Sequence, residues 1–173
     1  MKKLMSALAA VAMAAGVQAG AVKWTTGTAL YTAGSTSQTA SGTLELLAVA
    51  AGTKAADVWT SVKDGTYTAI KEADLSAGKI TATSFDYTNG TYDFYSILVD
   101  GDSFYISDAK ASVQVADVGT GGASFALKAS SQTAAKAVAD GYQGAGWYTV
   151  PEPTSGLLLL LGVAGLALKR RRA

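Results

Sequence analysis

"KITATSFDYTNGTYDFYSILVDGDSFYISD", Lys79 to Asp108, is the stretch whose reading decides the fold. Asn89-Gly90 tolerates positive φ at both positions, as a type I′ hairpin demands, and β-formers flank it on both sides. Asp100-Gly101 supplies a second turn signal, so the segment predicts a three-stranded antiparallel meander. In its middle strand Tyr92, Phe94 and Leu98 point one way, and Tyr95, Ile97 and Val99 the other. Both faces are apolar, which predicts a central strand covered on two sides.

Outward from the meander, the chain alternates short β-forming runs with turn residues. "AVKWTTGTALY" (Ala21 to Tyr31) predicts a strand, followed by a polar loop from Thr32 to Gly42. "TLELLAVA" (Thr43 to Ala50) is a nearly continuous apolar run and predicts a buried strand. "TKAADVWTSVKDG" places Ala55, Val58, Trp59 and Val62 at helical spacing, with Thr53 as N-cap and Gly65 as stop. "ASVQVADV" and "GASFALK" predict further strands. "SSQTAAKAVADG" predicts a helix or helical turn capped by Ser130 or Ser131 and stopped at Gly141, and "GYQGAGWYTV" a strand or extended linker. No repeat of fixed period is present. The fold class expected is mainly β, β-sandwich-like or α+β, with six to eight strands and one or two short helices.

The ends read differently. "MKKLMSALAAVAMAAGVQAG" has Lys2 and Lys3, an apolar stretch from Leu4 to Val17, and small residues at Val17 and Ala19, the pattern of a signal peptide cleaved after Ala19. At the other end, Thr154 to Leu168 is a run of fifteen uncharged residues with seven Leu. At 1.5 Å per residue it covers roughly 22 Å of a hydrocarbon core of about 30 Å, a marginal transmembrane helix. Lys169, Arg170, Arg171 and Arg172 follow as a stop-transfer cluster that holds the C-terminus in the cytoplasm. The organisation expected is a signal peptide over 1–19, an exported domain over 20–149 and a C-terminal signal over 150–173.

Composition narrows the function classes. Between Gly20 and Val150 stand eight Lys, no Arg and twelve Asp plus Glu, a domain near −4 without the basic stripe that nucleic acid requires. The chain has no His and no Cys, which excludes Ser-His-Asp catalysis, His-ligated zinc and disulfide bracing. Asp100 and Asp102, with Asp93 and Asp108, are carboxylates that calcium or a glycosidase pair would use. The D-G-D spacing is too short for an EF-hand loop, and Asp-Gly is already explained as a turn. Asn89-Gly90-Thr91 matches a glycosylation sequon that the hairpin accounts for. Eight Tyr and three Trp offer sugar-stacking faces. Trp24, Trp59, Phe94 and Phe104 fall where a core needs large residues, and Tyr87, Tyr92, Tyr95 and Tyr105 are the surface candidates.

Two prolines flank Glu152 and hold "VPEP" extended just outside the apolar run. Pro151-Glu152-Pro153, the short Leu-rich helix and the terminal basic cluster resemble the PEP-CTERM sorting signal of Gram-negative bacteria, which its members present to an exosortase, a membrane-embedded cysteine transpeptidase. The resemblance covers the last 24 residues or so and nothing before them. It implies that Pro151, Glu152 and Pro153 are the recognition motif, Gly156 to Leu168 a temporary anchor, and Lys169 to Arg172 the retention signal. The partners expected are the exosortase, signal peptidase, the secretion translocon and the membrane, with exopolysaccharide as a matrix partner and no cofactor. The function expected is that of an exported non-enzymatic surface or extracellular-matrix protein; a carbohydrate-binding module on a membrane anchor is the alternative.

Overall fold

A computed structural model of the chain describes residues 19–116, 123–127 and 134–150. The elements run β1 (Ala19–Thr26), β2 (Thr43–Ala50), α1 (Ala55–Lys63), β3 (Lys71–Asp74), β4 (Thr83–Thr88), β5 (Gly90–Asp100), β6 (Ser103–Ile106), β7 (Lys110–Val115), β8 (Ala123–Leu127), β9 (Lys136–Ala137), a 3-10 turn (Val138–Asp140) and β10 (Gly146–Thr149). The fold is mainly β, with ten strands among the described residues against the six to eight expected. The short β3 and β9 carry too few β-formers to announce themselves.

The strands form two sheets. A three-stranded sheet has the order β4-β1-β8, with β1 and β4 antiparallel and β1 and β8 parallel. A seven-stranded sheet has the order β3-β2-β5-β6-β10-β9, with β7 also paired to β5. The long β5 organises the larger sheet. One of its edges takes β2 from Tyr92 to Leu98, and the other takes β7 along its first half and β6 along its second.

The two apolar faces of β5 are each covered, as the alternation predicts. Phe94 and Leu98 enter a core cluster with Val22, Trp24, Leu30, Leu44, Leu46, Tyr105 and Trp147, packed between the sheets. Tyr95 and Ile97 enter a second cluster with Phe104, Ile106 and Tyr148, closed by Val58, Trp59 and Val62 of α1. The molecule is layered sheet, sheet, helix, and β5 is shared by both cores. Val99, the last residue of the second face, emerges 50 % exposed.

Three local expectations are corrected. Asn89-Gly90 joins strands of different sheets: β4 pairs with β1, and both edges of β5 are occupied, so no ladder is open to β4. Neither residue has positive φ. The segment is a corner, bridged by the Tyr87 and Tyr92 rings edge to face at 5.0 Å. Only the second turn of the meander is a hairpin, with Asp100 paired to Ser103 and Gly101 at φ 57°. The N-cap of α1 is Lys54, without a side-chain hydrogen bond, because the Thr53 hydroxyl donates backwards to the Ala50 carbonyl at 2.6 Å. Gly65 does stop the helix, at φ 65°. In the segment expected to be helical, the described part gives β9 and the 3-10 turn ending at Gly141; Ser130 and Ser131 lie outside the described residues.

Candidate functional site: the exit strand and the cavities beside it

β10 is the strand from which the C-terminal signal leaves, and its sequence explains how firmly it is held. In "GWYT" the side chains alternate, so Trp147 enters the core between the sheets and Tyr148 the core under α1. Trp147 Nε1 donates to the Tyr31 carbonyl at 2.8 Å, and the Tyr148 ring stacks on Phe104 at 5.4 Å. The Tyr148 hydroxyl accepts from Gln143 N and donates to the Gly144 carbonyl. Lys136 Nζ donates to the carbonyls of Gln143, Gly144 and Ala145, pinning the same loop from the β9 side. Together these contacts hold β10 against both cores and brace the loop that leads into it.

The ladder continues to the last described residue. Gly146 to Thr149 pair with Ile106 to Ser103 of β6, and Val150 N donates to the Asp102 carbonyl at 2.8 Å. Val150 thus lies against the β5–β6 turn. A cavity of about 200 Å³ opens there, lined by Val62, Lys63, Val99, Phe104 and Val150 with the turn residues 101–103. Among the described residues, Val99 and Val150 are the exposed large hydrophobic side chains, and both line it.

A larger cavity of about 840 Å³ adjoins it and shares Val62, Lys63 and Val99; its wall also holds Glu45, Asp64, Tyr67, Ala69 and Glu72. The Tyr67 hydroxyl donates to Glu45 Oε2 at 2.6 Å. Burial pushes this phenol well above its ordinary pKa, and the Glu45 carboxylate that accepts its hydrogen bond adds to the shift. Glu45 and Glu72 sit directly opposite each other across β2 and β3, a like-charge pair that costs the sheet some stability. Lys63 pairs with Asp64 at 2.7 Å and lies 5.9 Å from the Trp59 ring centre. The wall therefore combines an aromatic ring, apolar surface and acidic acceptors.

The acidic candidates do not converge. Asp93 is buried, its two oxygens accepting from Gly52 N at 2.9 Å and Ser112 N at 2.7 Å, which ties the β2–α1 turn and the β7 irregularity to β5. Asp100, Asp102 and Asp108 are exposed along the β5–β6 hairpin and after it. No group of three or more metal-ligating side chains occurs among the described residues. Of the aromatic surface candidates, Tyr87 and Tyr92 are half-buried at the corner, whereas Tyr95 and Tyr105 are 1 % exposed and belong to the cores. Trp24, Trp59, Phe94 and Phe104 are core residues, as expected. Ala19 opens β1 opposite Thr88. Pro151, Glu152, Pro153 and Lys169 to Arg172 lie outside the described residues, as do residues 1–18, the segment expected to be a signal peptide. Among the described residues no helix is long and apolar enough to cross a membrane.

Over residues 149–172 the chain matches the family model of the PEP-CTERM protein-sorting motif. The chain carries this motif at its C-terminus, and the motif implies exosortase-dependent sorting of an exported protein, with the exosortase as processing partner. The chain matches no curated protein and no solved structure. Thr149, the first matched residue, is the last residue of β10, so motif and domain meet without a spacer.

Proposed function

We propose that the protein is a non-enzymatic component of the cell surface or extracellular matrix, exported behind its N-terminal signal, held briefly in the membrane by its C-terminal helix and released or transferred by an exosortase. The observation that carries this reading is the sorting motif over 149–172, attached directly to a folded β-rich domain. The sequence has no His and no Cys, so it cannot build a Ser-His-Asp triad, a Cys nucleophile or a His-ligated zinc. Mass spectrometry of the protein from cells with and without the exosortase is the test. The expected result is loss of the residues after the motif in the first cells and a chain ending at Ala173 in the second. A chain ending at Ala173 in both, or a cytoplasmic pool of the tagged protein, overturns the reading.

A second reading, carbohydrate binding, is favoured by the larger cavity. Sugars present apolar faces and hydroxyl donors, and the wall offers the Tyr67 ring and the Glu45 and Glu72 carboxylates as acceptors. Binding to a glycan array that Tyr67→Ala abolishes supports it, and an array without retained glycans removes it.

A further inference from the structure

We infer that the face around Val99 and Val150 is a docking surface for the exosortase that processes this chain, a partner whose matching patch is apolar and rimmed by basic groups. The inference rests on the sorting reading above and deepens it, because the motif alone says only which residues the enzyme reads.

The tether enforces contact. Val150 is bonded to the β5–β6 turn, and Pro151 follows at once. Whatever their conformation, the three residues from Pro151 to Pro153 reach at most about 10 Å, less than the width of one helix with its side chains. An enzyme gripping that tripeptide touches the edge of the domain from which it leaves.

The chemistry of that edge suits a protein surface. The two exposed large hydrophobics of the described residues meet there, on a cavity floored by Val62 and Phe104. A valine exposed by half at the end of a strand whose preceding residues are buried is surface that a partner would cover. The rim is acidic: Lys63 is paired with Asp64, while Asp100 and Asp102 are exposed and make no ion pair among the described residues. That sign repels anionic lipid headgroups and attracts a basic protein rim.

Val99 lies outside the matched motif and in no core cluster, so it separates docking from motif recognition. The experiment follows precursor and processed chain by pulse-chase in exosortase-bearing cells, for the full-length wild type, Val99→Asp and Val99→Leu, with thermal melts showing that each is folded. Val99→Asp is expected to slow processing about tenfold, the loss that removing one buried valine contact produces, and Val99→Leu to leave it unchanged. Inserting about eight Gly and Ser residues between Val150 and Pro151, which span roughly 16 Å, is expected to abolish the difference between wild type and Val99→Asp, because the enzyme then grips the tripeptide without touching the face. Wild-type processing rates in Val99→Asp overturn the inference while the sorting reading stands. So does a Val99→Asp defect, relative to the wild type with the same insertion, that is as large as without it, or one matched by lost binding to anionic vesicles without enzyme, which assigns the face to lipid. A wild-type chain that is not processed at all removes the sorting reading itself.

Discussion

Asp93 shows how a residue's role follows from partners far away in sequence. In the chain it stands near Asp100, Asp102 and Asp108 and reads as one of a cation-binding group. In the fold its carboxylate is consumed by two backbone N–H groups, at Gly52 and Ser112, 41 and 19 residues distant. Ser112 holds φ at 54°, an uncommon value for a residue with a side chain, and the bond to Asp93 helps to retain it. Asp93→Ala removes two charge-assisted hydrogen bonds whose exposed donors water can then reach, and urea denaturation is expected to show a loss of about 1–3 kcal/mol in all. Calcium addition is expected to leave the midpoint of the wild type unmoved. The tyrosines give a second prediction. Burial raises the pKa of Tyr67, Tyr87, Tyr95, Tyr142 and Tyr148, so the folded state holds these protons more tightly than the unfolded chain. Their contribution is fully present below the ordinary tyrosine pKa near 10 and declines as the pH rises beyond it. Ultraviolet titration of tyrosinate is expected to show these phenols ionising late and together with unfolding; five early, reversible ionisations in a folded protein would contradict it.

At the scale of elements, what the sequence made legible was the character of each strand, and what it withheld was the partner. β5 announced its two buried faces because alternation is local. The corner at Asn89-Gly90 did not announce itself, because the turn dipeptide is compatible with a hairpin and only the occupied edges of β5 forbid one. Thr53 likewise has a capping side chain, but it spends its donor on Ala50. β1 carries a consequence for export. The bond expected to be cut, Ala19 to Gly20, lies inside this strand, paired with Thr88 and Tyr87. Gly20 is buried where a Cβ would come within 2.6 Å of the Ala116 carbonyl oxygen. A protease reaches such a bond only while β1 is unpaired, so cleavage after Ala19 would have to precede closure of the three-stranded sheet. Precursor refolded before signal peptidase is added is therefore expected to stay uncut, whereas unfolded precursor is cut at once; equal rates would show that β1 forms without this end.

At the scale of the molecule, the sorting signal was readable because it is linear: tripeptide, apolar run and basic cluster need no fold to be recognised. The way β10 presents it was not readable, since that depends on β6, on Tyr31 and on the loop held by Lys136. The same dependence bears on cooperativity. Trp24 anchors the core between the sheets and Trp59 the core under α1, where its ring meets Tyr148 edge-on at 5.5 Å. Among the described residues the two cores share strands, above all β5, whose Phe94 and Leu98 face one and whose Tyr95 and Ile97 face the other. If β5 couples them, neither layer can melt alone. Trp24→Ala and Trp59→Ala each remove a large buried side chain, at a cost of about 3–5 kcal/mol. Each is expected to lower the midpoint of one common transition, seen alike by far-ultraviolet circular dichroism and tryptophan fluorescence. An early fluorescence change in Trp24→Ala with the β signal intact would come from Trp59 and mean that α1 is an independent flap. In that case the docking face, which takes Val62 and Lys63 from α1, would form and dissolve with the helix, and processing would fall with temperature well before the sheets unfold.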